Sequence, residues 1–128
     1  MSPLKITTRD AATGPVLEIF GELDYVTAGD LRDLIPTITL RPGQCLVLDL
    51  RGMEFCDSSG LTALIAAHHH AEAAQADFAL AAVPAHTLRT LRIVGLDQVF
   101  AIHPDSEMAA PTRTDHDANE MKRGGVSA

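Results

Sequence analysis

Cys45-Leu46-Val47-Leu48-Asp49-Leu50 is a six-residue run in which Asp49 is the one charged position. A short, almost wholly apolar run introduced by the turn signal Pro42-Gly43 suits a strand covered on both faces, because neither side then presents polar residues to water. We read it as the central strand. Downstream, Arg51 to Asp57 reads as a loop, after which Leu61, Leu64, Ile65 and His68 recur on one face of an alanine-rich segment reaching about Gln75. That segment is a helix. Phe78-Ala79-Leu80-Ala81-Ala82-Val83 repeats the strand composition, and Pro84 stands as the first helical residue before Leu88, Leu91 and Val94, with Gly95 as terminal cap. Val99 to Ile102 supplies a last strand. Strands separated by helices are parallel neighbours joined by crossovers, since such a connection returns the chain to the same end of the sheet.

Upstream of the central strand the pattern differs. Lys5, Thr7 and Arg9 alternate with Ile6 and Thr8, Gly14-Pro15 punctuates, and Val16, Glu18 and Phe20 then oppose Leu17 and Ile19 in a strand ending at Gly21. This is an antiparallel hairpin. From Ala28 the apolar positions Leu31, Leu34, Ile35 and Ile38 follow helical spacing, with Thr27 three residues before Asp30 as a capping-box-like start. Pro36 falls inside that helix and should kink or end it, because it lacks the N–H that would bond Arg32. The order strand, strand, helix, strand, helix, strand, helix, strand defines an α/β domain with a mixed sheet.

The chain has 128 residues and a net charge of -7, which repels phosphate backbones and anionic membrane surfaces. Aromatic residues make up 4% and Trp is absent, so no stacking platform for single-stranded nucleic acid is expected. The partner is expected to be a protein. The apolar runs are far shorter than the roughly 20 residues that span a bilayer, and the N-terminus carries no signal-peptide apolar core. Cys45 and Cys56 lack zinc or redox spacing, a usage that suits a reducing cytoplasm. Past Pro104 there is no Leu, Ile, Phe or Tyr, so residues 1–104 are expected to fold and residues 105–128 to form a disordered tail. Without the tail's five acids and three bases the domain remains acidic, at net -5.

The segment richest in chemistry is Met53-Glu54-Phe55-Cys56-Asp57-Ser58-Ser59-Gly60-Leu61, where a carboxylate and two hydroxyls stand between the central strand and a helix start. Either Asp57 or Ser58 can cap that helix. The position lies beyond the carboxyl end of a parallel strand, where open α/β sheets place their sites, and a phosphate on a serine there would meet the positive end of the helix dipole. A hydrolase reading of Ser58 lacks the G-x-S-x-G elbow and a base in a recognisable context, so no catalysis is expected. His68-His69-His70 resembles a metal tract, yet successive helical residues point about 100° apart, and His68 with Glu72 is the i,i+4 donor pair. A solvated helix face, with no metal and no cofactor, is expected. Cys56, before a helix start, could have a lowered pKa or could simply be a small buried residue. Cys45 is assigned to the core. Gly21-Glu22-Leu23-Asp24 reads as the end of a strand and a polar turn, with both carboxylates in a loop.

Taken in order, Gly21-Glu22-Leu23-Asp24, Leu46-Val47-Leu48-Asp49-Leu50, Phe55-Cys56-Asp57-Ser58-Ser59-Gly60-Leu61 and Leu88-Arg89-Thr90-Leu91-Arg92-Ile93-Val94-Gly95-Leu96 resemble the successive landmarks of the STAS domain in its stand-alone form, the bacterial anti-sigma factor antagonist. The resemblance runs from about Lys5 to His103. It implies a STAS-like single domain, with crossover helices packed mainly on one face of the mixed sheet, and a partner-switching role. Ser58 falls on the family's phosphorylated serine, which a cognate anti-sigma factor serine kinase modifies and a PP2C-type phosphatase restores. The unphosphorylated form binds the anti-sigma factor and frees the sigma factor. Asp24 matches the family's loop aspartate, and Glu22, Asp24, Asp57, Ser58, Ser59 and Gly60 are the expected partner-facing set. An alternative is a constitutive STAS docking module in a transporter-associated or sensory assembly that never uses Ser58 as an acceptor.

Overall fold

The computed structural model describes residues 3–106. Strands β1 (Lys5–Ala11) and β2 (Gly14–Leu23) form the hairpin; helix α1 (Ala28–Leu34) leads into a 3-10 turn (Ile35–Thr37); β3 (Cys45–Cys56), α2 (Ser58–Ala73), β4 (Asp77–Ala81), α3 (Ala85–Val94) and β5 (Ala101–His103) follow. The five strands lie in the order β1-β2-β3-β4-β5. β1 runs antiparallel to β2, and every other neighbouring pair is parallel. The mixed α/β sheet expected from the element order is present.

Alternation decides which side chains meet the helices. Leu17, Ile19 and Leu23 of β2, Leu46, Leu48 and Leu50 of β3 and Leu80 of β4 share one face and pack with Leu31 of α1, Ala63, Leu64, Ala67 and Ala71 of α2 and Leu91 of α3. Alanines on α2 let that helix approach the sheet closely. Val16, Val47, Ala79 and Ala81 form a smaller buried cluster apart from it, so the central strands are apolar on both sides, as the composition of residues 45–50 requires.

Several boundaries differ from the sequence reading. Residues 51–56 are strand and not loop: β3 continues to Cys56 because β2 continues beside it, pairing Gly21 with Met53, Glu22 with Phe55 and Leu23 with Cys56 across two register shifts. Met53 is buried, while its neighbours Arg51 and Glu54 are exposed, so only the continuous apolar pattern ends at Leu50. The first hairpin turns at Ala12-Thr13, and Gly14 and Pro15 already pair with Ala11 and Asp10. Proline is tolerated there because its missing N–H costs a ladder that needs few further bonds at its end. Pro84 is the residue before α3, with ψ at 149°, outside the helix it introduces. β5 begins at Ala101, because Leu96–Gln98 closes into a 3-10 turn and leaves Val99 outside the strand. Pro36 ends α1 as expected, converting its last turn to 3-10 geometry. Gly95 caps α3 in the left-handed region, at φ 83°, a conformation glycine adopts without steric cost. Arg9 Nη2 donates to the buried Ser106 hydroxyl at 2.8 Å; the remainder of the expected tail, residues 107–128, lies outside the described residues.

Candidate functional site

At the carboxyl ends of β2 and β3 the chain makes two connections into helices, and Asp57 ties them together. Its backbone is extended, as an N-cap requires, and its Oδ1 accepts from the N–H groups of Ser59 (2.8 Å) and Gly60 (3.1 Å). Of the two candidate caps, Asp57 holds the helix. The other oxygen, Oδ2, accepts from the N–H of Tyr25 at 3.0 Å, 32 residues away in the β2–α1 loop. The Asp57 N–H donates to the Leu23 carbonyl at 3.2 Å. The two connections are therefore one structural unit.

The β2–α1 loop carries its own frame. Asp24 Oδ1 accepts from the N–H groups of Val26 (3.0 Å) and Thr27 (3.1 Å), folding the loop back on the aspartate. The Thr27 hydroxyl donates to the Glu22 carbonyl at 2.7 Å and accepts from the Asp24 N–H at 3.0 Å. Thr27 stands before α1, yet it makes no side-chain cap to that helix. The capping box with Asp30 does not form, because the loop takes the hydroxyl.

The expected site residues fall as follows. Glu22 is half-buried within β2 and paired with Phe55, so it belongs to a strand and not to the loop. Asp24, Asp57 and Ser59 are half-buried, Ser58 is exposed as the first residue of α2, and Gly60 is buried. A Cβ on Gly60 would lie 2.6 Å from the Leu23 carbonyl oxygen and 2.7 Å from Cys56 Sγ; glycine is needed there so that α2 can start against the end of β2. Among the described residues the Ser58 hydroxyl has no hydrogen-bond partner. Exposure separates the two adjacent serines, which sequence position alone did not.

Cys56 does not carry a lowered pKa. Burial, and then the nearby Asp57 charge, push its thiol up to about 12, so the group stays protonated at neutral pH. Cys45 is likewise pushed up to about 12, by burial and then by Asp77. Sequence reasoning missed the apolar part of the site: Tyr25 is 83% exposed, Val26 80% and Phe55 47%. Large apolar residues inserted between Asp24 and Thr27, in a loop with no hydrophobic periodicity, were the available signal.

Along α2 the histidines separate. His70 turns its Nε2 to the Ile38 carbonyl at 2.8 Å. His68, His69 and Glu72 place one donor atom each within 4.8 Å of one another, closer than the 100° step between successive helical residues suggested.

Comparison with known proteins gives this arrangement a family. Residues 4–109 match the STAS domain. The anti-sigma-F factor antagonist RsfB of Mycobacterium tuberculosis is 31% identical over 122 residues, covering 95% of this chain and 92% of that protein. A STAS-domain containing protein of Pseudomonas aeruginosa is 31% identical over 101 residues, covering 77% of this chain and 99% of the relative. The crystal structure of an anti-sigma factor antagonist from Mycobacterium paratuberculosis superimposes with a TM-score of 0.73 at 29% identity, covering 83% of this chain and 90% of that one. The chain belongs to the STAS-domain family of anti-sigma factor antagonists.

Proposed function

We propose that this protein is a phosphorylation-switched anti-sigma factor antagonist: unphosphorylated, it binds an anti-sigma serine kinase and so releases a sigma factor, and phosphorylation of Ser58 ends that binding. A PP2C-type phosphatase would restore the binding form. The observation that carries the reading is Ser58 itself, an exposed hydroxyl at the first position of α2, flanked by the Asp57 carboxylate and by the exposed Tyr25 that Asp57 holds in place. The protein acts as substrate and ligand. Its surface at this edge combines what a protein interface uses, aromatic and aliphatic anchors with charged groups around them. Glu22, Asp24 and Asp57 favour a partner that presents basic groups.

The local bonding supports a direct action of the phosphate. The N–H groups of Ser59 and Gly60 already bond Asp57, so a phosphate on Ser58, bringing a charge of about -1.5 to -2, would find those two donors taken. Its charge adds to that of Asp57. Repulsion, volume and desolvation then act against any face docked on Tyr25 and Ser58, and each loss of about 1.4 kcal/mol is tenfold in affinity. No rearrangement of the fold is required.

The test is phosphorylation by the purified anti-sigma serine kinase of the same organism, followed by intact mass and phosphopeptide mapping. One phosphate on Ser58, retained in Ser59→Ala and absent from Ser58→Ala, is expected. Phosphorylation of Ser58→Ala to the wild-type extent would overturn the acceptor assignment. Tight binding of the kinase with no phosphorylation at all would favour constitutive docking instead.

A further inference from the structure

The histidine-bearing face of α2 takes no part in the proposed switch, and its geometry is specific. Glu72 stands four residues after His68 and three after His69, and both spacings make neighbours on a helix surface. Glu72 therefore reaches towards two imidazoles that, considered as successive residues, diverge. The three donor atoms lie within 4.8 Å of one another, with His68 Nδ1 3.8 Å from Glu72 Oε1. His68 is held in place: its ring centroid lies 5.6 Å from that of Phe78, edge to face, and 5.6 Å from that of Phe100. Its side chain is 19% exposed, while that of Glu72 is 63% exposed. One ligand is fixed by packing, and His69 and Glu72 are free to adjust.

We propose that His68, His69 and Glu72 bind one divalent transition-metal cation of the zinc, nickel or copper class, with solvent completing the coordination. Two imidazole nitrogens and one carboxylate oxygen are the donor set that such ions favour, and three protein ligands with open positions is a recurrent arrangement. Magnesium and calcium, which take oxygen ligands in larger number, do not fit it. Donors bound at about 2.0–2.2 Å from a tetrahedral ion sit about 3.4 Å apart, so the site closes by small rotations of the two exposed side chains. The chain's net charge of -7 favours a cation. The site lies ten residues beyond Ser58 along α2, about 15 Å by helical rise, so it is separate from the phosphorylation edge.

Calorimetric titration of the full chain with zinc chloride, paired with thermal melts, tests this. One saturable zinc site and a rise in Tm on saturation are expected. Loss of one ligand, in His69→Ala or Glu72→Gln, should weaken binding by about tenfold or more, and both together should abolish it. His86→Ala, a histidine elsewhere on the surface, should bind as the wild type does. Both substituted ligand side chains are exposed, so circular dichroism should remain unchanged and a folding defect would be visible separately. Absence of saturable zinc binding to the wild type, or a loss of less than about twofold in the double variant, would overturn the site.

Discussion

Asp57 divides its carboxylate between an element it starts and a loop it restrains, so its removal should be felt in two places. Asp57→Ala loses the helix cap and the tie to Tyr25, and should lower the unfolding free energy by about 1–3 kcal/mol. Asp57→Asn keeps an oxygen for one of the two and should cost less. Urea denaturation of both variants checks the order; equal loss would mean that only the charge mattered. The cysteines make a second prediction at this scale. Cys45 and Cys56 have folded-state values of about 12 against an ordinary 9.0, so the folded chain holds protons that the unfolded chain releases. Their contribution to stability is present below pH 9 and is lost as pH rises from 9 towards 12. Melting temperature should fall over that interval, and Cys45→Ala with Cys56→Ala should flatten the fall. A double variant with the same alkaline profile as the wild type would contradict the assignment.

At the scale of elements, the junction from β3 to α2 depends on the small size of residue 60. A methyl group in Gly60→Ala would meet the Leu23 carbonyl, which is backbone and cannot rotate away, and the Cys56 sulfur. Overpacking of this kind costs about 1–3 kcal/mol, so the variant should melt several degrees lower; an unchanged melt would show that α2 can shift its start. This junction also marks where sequence was informative and where it was not. Cys45 to Leu50 declared a buried strand through composition alone, and the helical spacing of Leu61, Leu64 and Ile65 declared α2. The strand's second half was not legible, because Arg51, Gly52 and Glu54 carry no apolar signal and their conformation comes from pairing with β2. Thr27 misled for a related reason: cap statistics describe a helix start in isolation, and here Glu22 and Asp24 claim the hydroxyl first. That the β2–α1 and β3–α2 connections leave the same end of the sheet follows from the parallel pairing of β2 with β3. The exposure of Tyr25 and Val26 followed from neither periodicity nor motif.

Across the whole molecule, an acidic surface and an apolar tip meet at one edge of the sheet, and they should contribute differently to binding. Tyr25→Ala removes an anchor held by backbone hydrogen bonding, and should weaken kinase binding by about 2 kcal/mol or more with little change in Tm. Asp24→Asn removes charge at the rim and should weaken it by about threefold to tenfold, with association that becomes less sensitive to salt. Surface plasmon resonance across a salt series, with melts of the same samples, separates these outcomes from simple unfolding; wild-type kinetics in both variants would remove this edge as the interface. The central claim, that Ser58 switches binding, is tested most directly by measuring Kd for the anti-sigma kinase with the unphosphorylated protein and with the same protein stoichiometrically phosphorylated at Ser58. The account predicts that phosphorylation raises Kd by about a hundredfold, corresponding to an interface loss of about 2.8 kcal/mol; equal Kd values for the two forms would contradict it.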